Sequence, residues 1–310
     1  MTDIQLNRKN ALFVALSLYL LTVIILLSAS LLLNHGVFVY ALDDPYIHMT
    51  IAKNFVLHGT WATNGLNFTS ASSSPLWTLI ISFVYFLFGV NVITPFLLNI
   101  LFGILTLLIV NNILKKNNID RIRLFVLIVV IYVTPMPTIL FTGMEHTAQI
   151  AITLLFIYLS SMILDSDNND LRILIYLFLI TPFVTAIRYE GMFSVIVVCT
   201  LLIFRRKPFY SVIIFLLGLS PIILYGLISI SHNWLFVPNT ILVKSKLPEL
   251  SLLYIPKTIF RFIKNVTEPH ILVLISSSVF LFLYSYIKKS LLWEKKTIIS
   301  FNFYLNNNFP

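Results

Sequence analysis

A chain of 310 residues that is 58% hydrophobic and 11% charged, with a mean hydropathy of +0.94, falls far short of the roughly one-quarter charged residues of a soluble domain. That excludes a water-soluble enzyme and makes the chain a polytopic membrane protein, whose apolar runs can cross about 30 Å of hydrocarbon as helices. The net charge of +9 reflects the bias of Lys and Arg toward cytoplasmic loops, not nucleic-acid binding, and the single cysteine, Cys199, excludes a disulfide framework or a Cys-based metal site.

In chain order, Arg8 and Lys9 precede the first apolar run, residues 11–33, which reads as an uncleaved signal anchor. The loop that follows carries DDPYIH. Asp44 and Pro45 predict an N-cap with proline in the first helical position, and Gly59 a C-terminal stop. Ile47, Ile51 and Phe55, with Ala52 and Val56, make an apolar stripe at helical spacing, and His48 and Lys53 fall off it. An amphipathic helix lying on the outer membrane surface is expected. Capping accounts for Asp44 by itself; the adjacent charge of Asp43 is better explained by a paired-carboxylate site for a general base or a divalent cation.

Next comes SASSSPLW, residues 70–77, read physically as a polar loop, a proline helix start and an interfacial tryptophan, Trp77. It opens an apolar segment, 75–90, that is short for a span. Further spans are predicted at 92–114, 124–141, 147–164, 171–187, 191–204, 209–230 and 271–287. Glu145 sits in TGMEH between two of them, either a surface carboxylate on a tight turn or a functional group. At RYEG, where two short spans meet, Arg188 is costly unless it faces a cavity or pairs with Glu190. The more polar stretch 231–270 contributes PNT, with Asn239, and then Lys244.

Charge decides the topology. If 75–90 is interfacial or re-entrant, the N-terminus, loops 115–123 and 205–207, Arg172 and the C-terminal lysines face the cytoplasm, with most of the 21 basic residues. The fold is then all-α, with about eight transmembrane helices, an interfacial helix and a re-entrant or interfacial segment in the first outer loop. That orientation puts Asp43, Asp44, Glu145, Glu190 and the six histidines on or near the outer side. Residues 1–230 form the main transmembrane module, with 34–91 as its first outer loop; 231–270 is an outer loop, and 271–310 the last span and tail. There is no P-loop, glycine-rich dinucleotide fingerprint, zinc spacing or internal repeat.

Taken in order, DDPYIHMTIAKNFVLHGTW, SSSPLWTLI, TGMEHT, RYEGM and PNTILVK resemble the bacterial polytopic glycosyltransferases of the GT-C fold. The chain is most similar to the branch with the mycobacterial terminal arabinofuranosyltransferases. The resemblance covers about residues 10–250. It implies an active site on the outer face of the cytoplasmic membrane, a catalytic acidic first loop, and a sugar donor carried on a polyprenyl phosphate. The acceptor is then a cell-envelope glycan, lipid or protein.

Transfer from such a donor needs a base for the acceptor hydroxyl, neutralisation of the departing phosphate, and an apolar groove for the lipid. Asp43 or Asp44 would be the base, the other orienting the acceptor or binding a divalent cation, Mg or Mn. Asp44, beside the positive end of a helix, is the poorer base, so Asp43 takes that role. Arg188 and Lys244, with Lys53 behind them, would meet the phosphate. Glu145, Glu190, His48 and Asn239 would orient these groups or contact the sugar. Two alternatives stand beside this reading. The relatives usually continue for further spans, so the chain would be a truncated, non-catalytic remnant; or it is a lipid or solute transporter, which favours internal repeats and midplane charges.

Overall fold

The computed structural model describes residues 2–165 and 170–238, whose regular elements are all helices, with no strand among them. The expected span at 271–287, Asn239 and Lys244 lie outside the described residues. Ten α-helices run in order: α1 (Thr2–Leu33), α2 (Asp44–His58), α3 (Pro75–Phe88), α4 (Thr94–Lys116), α5 (Arg123–Val133), α6 (Met136–Ile139), α7 (His146–Asp165), α8 (Leu171–Ile187), α9 (Gly191–Phe204) and α10 (Pro208–Ser231). A 3-10 turn, Leu140–Thr142, links α6 to α7.

Proline marks many of the starts. Pro45, Pro75, Pro95 and Pro208 each stand in the first two positions of a helix, where a missing N–H costs nothing. Lys115 and Lys116 close α4, where cations meet the negative end of the helix dipole. Gly59 closes α2 in the left-handed conformation, φ 69°, its N–H bonding to Phe55 O.

Among the described residues, four helices are long and apolar enough to cross a membrane: Asn10–Leu33, Thr94–Lys116, His146–Asp165 and Pro208–Ser231. The predicted span 124–141 is broken: α5 and the α6 segment meet at a 41° bend. Pro135 and Pro137 are the reason, since neither can donate to the helix ladder; the new segment starts at Pro135 O, which accepts from Thr138 N and Ile139 N. Counted as one, the bent pair makes a fifth candidate. α8 has 17 residues and α9 has 14, and at about 1.5 Å per residue both fall short of about 30 Å. Membrane character therefore holds, while the described helices do not reach the expected count of spans.

Two apolar cores hold the helices together. The first gathers Tyr19, Trp77, Phe96, Leu107, Leu127 and Leu140 from the N-terminal half. The second gathers Phe156, Leu177, Val184, Val195 and Ile214 from α7 to α10. Ile152 of α7 packs against both, so α7 is the seam between the halves.

Two expectations are corrected here. Trp77 is not interfacial but fully buried in the first core. On α2 the buried face is Pro45, His48, Met49, Ile51, Ala52 and Asn54, packed toward α3, while Phe55 of the supposed apolar stripe is 40% exposed. Periodicity put His48 on the wrong face and gave no reason for Asn54 to be buried, because each has a buried partner. Asn54 Nδ2 donates to Ala62 O at 2.8 Å, and His48 Nδ1 lies 2.8 Å from the Thr78 hydroxyl.

Candidate functional site

The loop into α2 is fixed by Tyr40. Its hydroxyl donates to Val92 O at 2.7 Å and accepts from Phe96 N at 3.1 Å, while its own N–H donates to the Tyr46 hydroxyl at 3.2 Å. Burial pushes the Tyr40 phenol well above its ordinary value, so it stays a neutral hydroxyl at physiological pH. One residue on, Ala41 N donates to Phe141 O at 2.9 Å, which ties the acidic loop to the turn before α7.

The two aspartates that follow sit one position off the expected register. Asp43 occupies the N-cap position and Asp44 opens the helix; neither Asp43 nor Ser74 at the head of α3 caps with its side chain. Asp43 is exposed and Asp44 half-buried. Both now stand at the positive end of α2, so the helix dipole no longer separates a better base from a poorer one.

Gly143 explains why the TGME turn meets this loop so closely. Its φ is 65°, and a Cβ there would come 2.7 Å from the Tyr40 ring and 2.9 Å from Pro45 Cβ. Its carbonyl accepts the indole N–H of Trp77 at 3.3 Å. Three of the sequence motifs thus interlock through single atoms. The DDPYIH helix also reaches the serine-rich loop directly, since Ser72 Oγ lies 3.1 Å from Thr78 Oγ1 and 3.5 Å from His48 Nδ1. His48 is thereby a buried, hydrogen-bonded side chain that holds α2 on α3.

The fourth motif joins through Arg188, which ends α8 in an extended conformation. Its Nε and Nη2 fork onto Glu190 Oε2 and Oε1 at 3.2 and 3.3 Å, and Nη1 lies 3.0 Å from His146 Nδ1. The same Nη1 stands 3.6 Å from Glu145 Oε1. Glu145 is not a surface carboxylate: it is fully buried, and neither oxygen receives a hydrogen bond. Arg188 is therefore paired, as its position between two short apolar runs required. Gly191 allows the turn, since a Cβ there would sit 2.1 Å from Val184 O. Tyr189, alongside, is half-buried, and partial withdrawal from water pushes its phenol upward.

Lys53 lies on the exposed face of α2, away from the buried contacts that tie the motifs together. No group of three His, Cys, Asp or Glu side chains among the described residues is arranged to hold a metal ion.

Sequence reasoning missed the cleft beside this cluster. It encloses about 520 Å³ between the end of α2, the 59–68 loop, the start of α3 and the end of α10. Phe55, Trp61, Phe68, Leu79, Tyr225 and Ile228 make it apolar and aromatic, with Asn67 and His232 at its edge. His232 stacks on Phe68, ring centroids 4.5 Å apart and planes within 12°. The Tyr225 hydroxyl lies close to Trp61, Ser70 and the Ser72 backbone without closing a full hydrogen bond to any of them. Ser229 joins α10 to the serine-rich loop through Ser70, Oγ to Oγ at 2.9 Å. The available signal was the density of aromatic residues around the 59–68 loop.

No family model, curated protein or solved structure matches this chain.

Proposed function

We propose that this protein is a membrane glycosyltransferase that moves a sugar from a polyprenyl-phosphate donor to an envelope glycan, lipid or protein on the outer face of a bacterial cytoplasmic membrane. The observation that carries the reading is convergence. DDPYIH, SSSPLW, TGMEH and RYEG are separated by as much as 140 residues, and contacts link each to another: His48 to Thr78, Trp77 to Gly143, Pro45 to Gly143, Glu145 to Arg188. Four stretches that carry the resemblance form one connected cluster.

In this reading the acceptor oxygen attacks the anomeric carbon of the donor sugar, and the bond from that carbon to the phosphate oxygen breaks. Its electron pair leaves with the polyprenyl phosphate. One carboxylate of the acidic pair, Asp43 by its exposure to an incoming acceptor, takes the hydroxyl proton; Asp44 orients the acceptor or helps hold a divalent cation. A single displacement inverts the anomeric centre. Arg188, aimed by Glu190, meets the departing phosphate, with Lys244 as a second cation from the outer loop. The aromatic cleft supplies an apolar groove for the lipid beside the cluster. A topology of about eight spans, with α2 interfacial and α3 re-entrant or interfacial, would put all of this outside the cytoplasm.

The test is transfer of radiolabelled sugar from a mixed polyprenyl-phosphate-sugar pool in membranes carrying the wild-type chain or the double variant Asp43→Asn/Asp44→Asn. Label in the wild type and a drop of at least a hundredfold in the folded variant are expected. Equal label in both would overturn the catalytic role of the pair, and none in the wild type from a broad pool would overturn the enzyme reading.

A further inference from the structure

The two glutamates around Arg188 differ in kind. Glu190, 57% exposed in its side chain, already receives the guanidinium fork through both oxygens. Glu145 is fully buried and receives no hydrogen bond, although a carboxylate has about four lone-pair sites to fill. Several donors near it in sequence are turned elsewhere. Gly143 N donates to Leu140 O and Met144 N to the Thr142 hydroxyl; the Thr147 hydroxyl donates to Asn99 Oδ1, and Gln149 N takes the main-chain carbonyl of Glu145. Arg188 Nη1, at 3.6 Å, gives it a charge partner outside hydrogen-bond reach.

Buried charges are normally paired and hydrogen-bonded, and each exception calls for an explanation. A structural ion pair explains this one poorly. Its distance is long, and without Glu145 the guanidinium would still have Glu190 and His146. A ligand explains it better. A guanidinium and an unsatisfied carboxylate side by side match a molecule that bears an anion on one carbon and a hydroxyl on the next. A glycosyl phosphate is such a molecule, with phosphate on its anomeric carbon and a hydroxyl on carbon 2.

We propose that Glu145 holds the transferred sugar by accepting a hydrogen bond from its 2-hydroxyl, while Glu190 serves only to aim Arg188 at the phosphate. This rests on the glycosyltransferase reading and sharpens it. Glu145 is then a binding residue whose exposed alternative, Glu190, cannot replace it, because the donor hydroxyl must enter a water-poor site where an ionic hydrogen bond is strong.

The experiment compares the wild-type chain with Glu145→Gln and Glu145→Met. Its probes are a polyprenyl-phosphate sugar that the wild type transfers and the 2-deoxy analogue of that donor. On the wild type the 2-deoxy donor should be at least tenfold poorer in kcat/KM, and on Glu145→Met the two donors should be equal within about twofold. Glu190→Gln should weaken inhibition by sugar-free polyprenyl phosphate and leave the donor ratio as it was. A preference for the 2-hydroxyl that survives in Glu145→Met overturns the proposal. Thermal unfolding in detergent gives an arm independent of activity: Glu145→Gln and Glu145→Met should unfold at or above the wild-type temperature. A fall of several degrees in both overturns the ligand role in favour of a structural ion pair. If the wild type transfers no sugar, the enzyme reading and the sugar contact fail together, and the unfolding arm still tells whether Glu145 is a structural ion-pair partner of Arg188.

Discussion

Single residues carry the joints of this cluster, and Gly143 is the most constrained of them. Its positive φ and the 2.7 Å approach of the Tyr40 ring leave no room for a side chain. Gly143→Ala should cost about 1–3 kcal/mol of stability through backbone strain, push the acidic loop off the TGME turn, and lower sugar transfer beyond what unfolding explains. Thermal unfolding in detergent beside a transfer assay separates the two effects. Tyr40 gives a pH prediction. Burial raises its phenol above the ordinary value of 10.0, so the folded chain favours the neutral form. The stability it contributes is intact below about pH 10 and is lost as pH rises above it. The wild type should therefore lose unfolding temperature more steeply than Tyr40→Phe through alkaline titration, although the Phe variant starts lower for lack of two hydrogen bonds. Parallel curves for the two proteins would remove Tyr40 from that account.

Among the elements, α2 shows how far periodicity reaches and where it stops. Its limits, Asp44 to Gly59, were readable from a proline and a glycine, to within one residue at the start. Its buried face was not, because His48 and Asn54 go inward to partners on α3 and the 59–68 loop that lie far from them in the helical pattern. The burial assignments predict a contrast: Ile51→Ala should cost about 2–4 kcal/mol, as for a buried aliphatic truncation, whereas Phe55→Ala should cost well under half as much. Similar losses at both positions would restore the apolar stripe as the packed face. The break between α5 and α6 tells the same story in reverse. Pro135 and Pro137 were visible in the sequence, but an apolar run spanning both was read as one helix, and only the backbone shows the 41° bend they produce.

For the whole molecule, orientation is the property on which the chemistry depends. The proposed orientation, basic loops inside and carboxylates outside, predicts that residue 63 and residue 117 lie on opposite sides of the membrane. In a Cys199→Ala background, Thr63→Cys should react with a membrane-impermeant maleimide in intact cells and Asn117→Cys only after permeabilisation. The opposite pattern would put the acidic pair in the cytoplasm and end the case for a lipid-linked donor. Membrane character, helical class, the starts of helices at proline and the basic loops are all local or compositional, so the sequence by itself determined them: each follows from the energy of a few neighbouring residues in hydrocarbon or water. Burial of Trp77 and Glu145, the inward turn of His48 and the meeting of Arg188 with His146 and Glu145 were decided only by the tertiary structure. Those facts depend on packing between segments tens of residues apart, where long-range contacts and not local preference select which polar groups are taken from water and which partners they find.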